Sequence, residues 1–240
     1  MNKRSDLLTY IPSLDGIRAL SVLAVIVYHA NKIWLPGGFL GVEVFFVISG
    51  YLITLLLLAE SEKNGIVSLQ DFWLRRARRL LPALWIVVLG VVVFAALFQR
   101  EILGTLRGDV VAALFYGFNW FQVWVGTSYF TSFEFVPLRH LWSLAVEEQF
   151  YFFVPALLAF TPAKHWRKIL VVLAIASFVG CLYLSLSNQS AAFYLLPTRA
   201  WELLIGIIAS MLVHSNAVKN ITSKLAIPAF AVLLASPFVN

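Results

Sequence analysis

Long apolar runs constrain this chain more than any other feature of its sequence. Eight runs lie at about residues 17–35, 39–59, 83–98, 110–125, 140–160, 168–186, 199–214 and 225–240. A membrane-crossing helix needs roughly 20 apolar residues, and 61% of the 240 residues are hydrophobic while only 12% are charged. A soluble domain is roughly half apolar and about a quarter charged, so that class is excluded. The sequence predicts an all-α, polytopic membrane helix bundle.

The positive charges predict how this bundle lies in the membrane. Lys and Arg gather near residues 3–4, 75–79, 164–168 and 219–224. Cytoplasmic loops carry the excess of Lys and Arg, and these clusters all face one side only if one run does not cross. The weakest run is 110–125, because Asn119 and Gln122 suit a re-entrant or interfacial helix. We expect about seven transmembrane helices plus one re-entrant or interfacial helix, with a cytoplasmic N-terminus. The alternative, in which Arg100 and Arg107 mark a cytoplasmic loop, stays open.

Proline and cysteine add smaller constraints. Pro82 is expected in the first turn of the third run, and Pro162 is expected to close the fifth. The chain has one cysteine, Cys181, which excludes an internal disulfide and a cysteine-based metal site. The formal charge of +6 is placed beside membrane spans, so nucleic acid is not expected as a partner.

Ionisable residues in the first run are candidates for function, because their burial in a membrane is costly. Arg18 and His29 are separated by 11 positions, so they share a helix face about 16 Å apart along the axis. Asp15 lies near the same line. A neutral imidazole can accept a proton near neutral pH, which makes His29 a candidate general base. The alternative is a histidine that hydrogen-bonds to a neighbouring helix or lies at the membrane interface.

Carboxylates occur in two further runs. Glu43 lies near the start of the second run, where pairing with Lys32 would explain it equally well. In the fifth run a polar stripe at helical spacing comprises His140, Ser143, Glu147 and Tyr151. Glu148 points about 100° away, toward a different neighbour. Because adjacent carboxylates in an apolar helix are costly to ionise together, we expect at least one to be paired or protonated. The density of titratable groups favours a site over a purely structural stripe.

Four arginines stand before the third apolar run, at Arg75, Arg76, Arg78 and Arg79. The guanidinium group is suited to bidentate recognition of phosphate, so a phosphate-bearing cytoplasmic donor would explain the cluster. Anchoring to anionic lipid would produce the same pattern. Both explanations stay open on composition alone.

Five sequence blocks together resemble acyltransferase family 3, the integral-membrane O-acyltransferases of bacterial surface polysaccharides. They are YIPSLDGIRA at 10–19, GFLGVEVFFVISGY at 38–51, FWLRRARRLLP at 72–82, HLWSLAVEEQFY at 140–151 and RAWELLIG at 199–206. Glu43 and Ala145 depart from the Asp and Ser that are common there. The family implies about ten spans, so we expect 1–240 to be a single membrane-embedded acyltransferase domain truncated at its C-terminus.

The resemblance also implies a reaction. Acyl-CoA, usually acetyl-CoA, is the implied co-substrate, with no permanently bound cofactor or metal. The implied acceptor is a hydroxyl of a lipid-linked or assembled glycan, such as lipopolysaccharide or peptidoglycan, at a bacterial inner membrane. The roles that follow are a base at His29, an orienting carboxylate at Glu147 or Glu148, donor binding by Arg18, Arg75, Arg76, Arg78 and Arg79, and support from Asp15, Glu43, Trp142, Ser143 and Tyr151. A transporter or flippase, and an inactive membrane fragment, are the alternatives.

Overall fold

The computed structural model describes residues 12–64, 67–126 and 136–214, and every regular element within these ranges is helical. The α-helices are α1 (Pro12–Ala30), α2 (Gly41–Asn64), α3 (Leu69–Phe98), α4 (Leu103–Leu114), α5 (Phe118–Trp124), α6 (Leu141–Ala159), α7 (Ala163–Ser187), α8 (Gln189–Tyr194) and α9 (Leu196–His214). Short 3₁₀ turns at Gly38–Leu40 and Arg100–Ile102 precede α2 and α4. The expected all-α class is confirmed.

Within the described ranges, five segments are long and apolar enough to cross a membrane. They are Pro12–Ala30, Gly38–Ser61, Leu69–Phe98, Lys164–Ser187 and Gln189–Val213. The protein is therefore a polytopic membrane protein, while the number of seven crossings stays a prediction. The run at 225–240 and the basic clusters at 3–4 and 219–224 lie outside the described residues.

The chain divides into two compact units. The first unit comprises Met1–Ile66 and Glu202–Asn240, and the second comprises Val67–Trp201. The expectation of one domain over 1–240 stays a prediction.

Glycines set the helix packing of the first unit. A β-carbon at Gly41 would overlap the carbonyl oxygen of Ser21 in α1, and one at Gly50 would overlap that of Leu203 in α9. Small residues allow helix backbones to approach this closely in membranes. The two contacts place α1 and α9 directly against α2.

The apolar run at 110–125 is broken in two. The chain turns at Tyr116, whose φ of 52° lies in the left-handed region, and α5 begins at Phe118. Neither α4, with 12 residues, nor α5, with 7, has the length of a crossing helix. The break favours the expected re-entrant or interfacial segment.

The expectation for Pro82 is wrong. α3 begins at Leu69, where the Ser68 hydroxyl caps the helix by accepting from the Asp71 backbone N–H at 3.3 Å. Pro82 therefore lies inside α3, and the four arginines lie within the helix rather than before it. The start of the apolar run marks where the surface of α3 becomes apolar. The helix itself begins earlier, at the Ser68 cap.

Candidate functional site

An ion pair joins α3 to α6 in the second unit. The Arg76 guanidinium donates from Nε and Nη2 to Glu148 Oε1, at 3.2 and 2.6 Å. The side chains of Arg76 and Glu148 are 22% and 16% exposed, so the pair is largely shielded from solvent. Glu148 thus has a separate partner, as its rotation away from the polar stripe predicts, and one of the two adjacent carboxylates is paired.

The second carboxylate, Glu147, faces along its own helix. The Tyr151 O–H donates to Glu147 Oε1 at 2.8 Å, and Glu147 is only 8% exposed. The Tyr151 ring lies beneath the Arg76 guanidinium, 3.8 Å from its centroid, which is close enough for a cation–π interaction. The structure therefore brings Arg76, Glu147, Glu148 and Tyr151 into one cluster, called here the carboxylate cluster.

The Trp73 indole makes a second contact with α6, one turn before Arg76 in α3. Pro155 has no N–H, so the Tyr151 carbonyl lacks its usual donor four residues later in the helix. Trp73 Nε1 donates to that carbonyl at 3.0 Å, and the Trp73 ring stacks on Phe152 with centroids 5.0 Å apart. Sequence analysis did not single out Trp73. A proline inside an apolar helix, which leaves one carbonyl unsatisfied, was the available signal.

The N-terminal residues of the polar stripe, His140 and Ser143, do not join the carboxylate cluster. The Ser143 hydroxyl donates to the His140 carbonyl at 3.1 Å, and His140 is exposed. Trp142 is buried against Phe193, with ring centroids 4.7 Å apart, and the Arg199 guanidinium lies 5.7 Å from its ring centroid. Trp142 packs in the interior of this unit, and its support of a site stays a prediction.

A pair of amides fastens α5 to α6. Gln149 Nε2 donates to the Tyr116 carbonyl at 2.7 Å and to Asn119 Oδ1 at 2.8 Å. Asn119 Nδ2 donates to Gln149 Oε1 at 3.3 Å and to the Tyr194 carbonyl at 3.1 Å. Asn119 is fully buried, so these bonds replace water completely. The polar residues of the weak run therefore hold α5 against α6 and α8.

Asp109 is a buried acid that the sequence analysis missed. It lies in α4, a helix too short to cross the membrane, and is 8% exposed. Burial raises the pKa of Asp109 to about 6, although the charge of Arg139 opposes the shift. A carboxylate at the edge of an apolar run was the signal in the sequence.

The first unit carries the other predicted residues. Arg18 Nη1 lies 3.8 Å from Asp15 Oδ1, and its guanidinium lies 4.9 Å from the centroid of the Phe45 ring. Glu43 lies in the first turn of α2, where a negative charge interacts favourably with the helix dipole. Arg18 and Asp15 thus form a local pair on α1, as their spacing allows.

His29 lies in the last turn of α1 and is exposed within its unit. Its Nδ1 is 2.8 Å from the Val25 carbonyl oxygen. A carbonyl oxygen can only accept, so Nδ1 carries the proton and Nε2 of the neutral ring keeps its lone pair. The Tyr28 ring meets the imidazole edge to face at 5.4 Å. The imidazole is held by its own helix, with Nε2 as the basic nitrogen.

The remaining arginines differ from Arg76. Arg75, Arg78 and Arg79 are exposed along α3. The predicted site residues lie in two groups. Asp15, Arg18, His29 and Glu43 belong to the first unit, and the four arginines of α3 and the residues of α6 belong to the second.

Together these features define a polytopic helical membrane protein with shielded, hydrogen-bonded carboxylates and an ordered imidazole. The chain belongs to the acyltransferase domain family, whose model matches residues 11–239. It is therefore assigned to an enzyme family rather than to the transporters considered above.

Two relatives illustrate the similarity. The chain is 42% identical over 250 residues to the peptidoglycan O-acetyltransferase OatA of Listeria monocytogenes, covering 96% of this chain and 40% of that protein. It is 38% identical over 244 residues to the O-acetyltransferase OatA of Staphylococcus aureus, with the same coverage of 96% and 40%. The chain thus spans two fifths of the length of these relatives. No solved structure matches it.

Proposed function

We propose that this domain transfers an acetyl group from cytoplasmic acetyl-CoA to a hydroxyl of peptidoglycan or a related surface glycan, across a bacterial inner membrane. Membership of the acyltransferase family supports the reaction class. The name of the Listeria relative, a peptidoglycan O-acetyltransferase, supports the acceptor. The basic clusters beside the apolar runs support a cytoplasmic N-terminus and a cytoplasmic donor.

The hydrogen bond from His29 Nδ1 to the Val25 carbonyl carries the mechanism. It leaves Nε2 of His29 as the proton acceptor. In the proposed step, Nε2 takes the proton of the acceptor hydroxyl while that oxygen attacks the thioester carbonyl carbon. The carbon–sulfur bond breaks, and the CoA thiolate takes the proton from the imidazolium. The acetyl group is transferred either directly to the glycan or first to an intermediate acyl carrier, and His29 removes the proton of the accepting group in either case.

The other predicted residues take supporting roles in this proposal. The candidates for holding the negative charge of the donor phosphates, for which the guanidinium fork is suited, are Arg18 in the first unit and the exposed Arg75, Arg78 and Arg79 in the second. Within the second unit, Glu147 is the better candidate for the acid–base carboxylate, because Glu148 is already paired with Arg76. Asp15 and Glu43 support His29 within the first unit.

The test is His29→Gln in the full-length protein. The amide can keep the bond to the Val25 carbonyl but cannot exchange a proton near neutral pH. Loss of a general base should lower turnover by about 10²- to 10⁴-fold. The readout is acceptor-dependent consumption of acetyl-CoA with soluble peptidoglycan fragments as the acceptor.

The matched control is His140→Gln, at an exposed histidine to which the proposal assigns no proton transfer. If His29→Gln retains turnover within a few fold while His140→Gln abolishes it, the base has been assigned to the wrong histidine. If the parent protein shows no acceptor-dependent consumption of acetyl-CoA, the proposed reaction itself is wrong.

A further inference from the structure

The four arginines of α3 share a sequence cluster but not an environment. Arg75, Arg78 and Arg79 are exposed, whereas Arg76 is half-buried. Two of its nitrogens, Nε and Nη2, donate to the same oxygen of Glu148 at 3.2 and 2.6 Å. If Arg76 bound a phosphate instead, the shielded carboxylate of Glu148 would lose its counter-charge. An unpaired charge is costly in a low-dielectric site.

Arg76 also acts on the neighbouring carboxylate through an aromatic ring. Its guanidinium lies 3.8 Å from the Tyr151 ring centroid, and the Tyr151 hydroxyl donates to Glu147 Oε1 at 2.8 Å. One cation thus contacts Glu148 directly and holds the tyrosine that orients Glu147. Both carboxylates depend on the placement of a single side chain.

The placement of Arg76 is itself determined by a second contact on the same helix. Trp73 lies three residues before Arg76, so both side chains project from one face of α3. The Trp73 indole donates at 3.0 Å to the Tyr151 carbonyl, which Pro155 leaves without its helical donor. The Trp73–Tyr151 and Arg76–Glu148 contacts, one turn apart on α3, together define the rotation of α3 about its axis and its axial position relative to α6.

We infer that Arg76 is a positioning residue, which sets the two carboxylates of α6 through Glu148 and Tyr151 and takes no part in binding the donor phosphates. The inference rests on the proposed function for the reaction in which these carboxylates serve. It divides the arginine cluster into one internal residue and three residues that face outward.

The experiment compares Arg76→Lys with Arg75→Lys in the full-length protein, with acetyl-CoA as the donor and soluble peptidoglycan fragments as the acceptor. Both changes keep the positive charge and remove the planar fork. For Arg76→Lys we expect kcat to fall at least 10-fold, with KM for acetyl-CoA within about twofold of the parent. For Arg75→Lys, at an exposed position assigned to the donor, we expect KM to rise while kcat is retained.

A 10-fold or greater rise in KM for acetyl-CoA in Arg76→Lys overturns the inference, and so does an unchanged kcat. If Arg75→Lys leaves KM unchanged while Arg76→Lys lowers kcat alone, the inference stands and the donor role of Arg75 in the proposed function fails. An inactive parent protein shows instead that the proposed reaction is wrong.

A second variant covers loss of folding. If Arg76→Lys does not accumulate in membranes, the neutral pair Arg76→Gln with Glu148→Gln keeps similar side-chain lengths and leaves no unpaired charge. Calorimetric binding of CoA to this pair should match the parent within about threefold. A 10-fold loss of CoA affinity would show that Arg76 binds the donor.

Discussion

The amide pair between α5 and α6 permits a quantitative test of the second unit. Replacing Gln149 by Leu, which has a similar volume, removes two donated hydrogen bonds and one accepted bond. The Tyr116 carbonyl and Asn119 Oδ1 then lose their donor. Asn119 is fully buried, so water does not take the place of Gln149.

The magnitude follows from the two orphaned acceptors. A buried polar group left unsatisfied costs about 1–3 kcal/mol, so Gln149→Leu, which orphans two, should lower the free energy of unfolding by about 2–6 kcal/mol. Tyr116 adds to the effect, because its bond to Gln149 helps to hold a residue with a φ of 52°. The same substitution at the exposed Gln189 should change stability by less than about 0.5 kcal/mol.

A double-mutant cycle with Asn119→Leu isolates the interaction between the amides. Each single change removes both Asn119–Gln149 bonds and leaves the other amide incompletely bonded. Replacing both partners removes that penalty, so the double variant should be more stable than the sum of the single changes predicts, by about 1–2 kcal/mol. The assay is reversible unfolding of the purified protein in mixed detergent micelles. Additivity within about 0.5 kcal/mol would refute the reasoning.

Two further predictions concern packing and pH. Gly50→Ala should destabilise the first unit by about 1–3 kcal/mol, the usual cost of overpacking, because the new β-carbon meets the Leu203 carbonyl; Gly90→Ala, where the space is open, should instead stabilise α3 by about 0.5–1 kcal/mol. Thermal unfolding in detergent distinguishes the two, and equal effects would contradict the packing. Asp109 has a pKa of about 6 in the folded protein, above its ordinary 3.8, so its contribution to stability decreases as pH rises from about 4 to 6. Asp109→Asn should therefore match the parent near pH 4 and unfold at a higher temperature near pH 7. A parent that gains stability over this range relative to Asp109→Asn would contradict the raised pKa.

Candidate site residues could be named from the sequence, whereas their contacts could not. Ionisable residues inside apolar runs made Arg18, His29, Glu147 and Glu148 candidates, because burying a charge is costly. The helical rotation of 100° per residue also separated Glu147 from Glu148. These inferences need only local geometry.

The partners of these residues depend on contacts between distant segments. Arg76 meets Glu148 across 72 positions, and Trp73 meets the Tyr151 carbonyl across 78. No local pattern distinguishes Arg76 from Arg75, since both lie in the same basic cluster; packing of α3 against α6 decides which one faces the carboxylate. The prediction that Pro82 lies in the first turn of a helix was wrong for a related reason. Apolar composition indicates which part of a helix is in contact with lipid, and it does not indicate where the helix begins.

The sequence by itself therefore determined that the chain is a helical membrane protein, where most of its helices lie, and which residues are too polar for their surroundings. These properties follow from hydrophobicity and helical period, which act over a few residues. Only the tertiary structure decided that Glu148 pairs with Arg76, that Tyr151 bonds Glu147, and that the Asn119–Gln149 pair holds α5 in place. Contacts between helices depend on which helix faces pack together. A hydrogen bond between two helices forms only when packing has set their rotation and axial position.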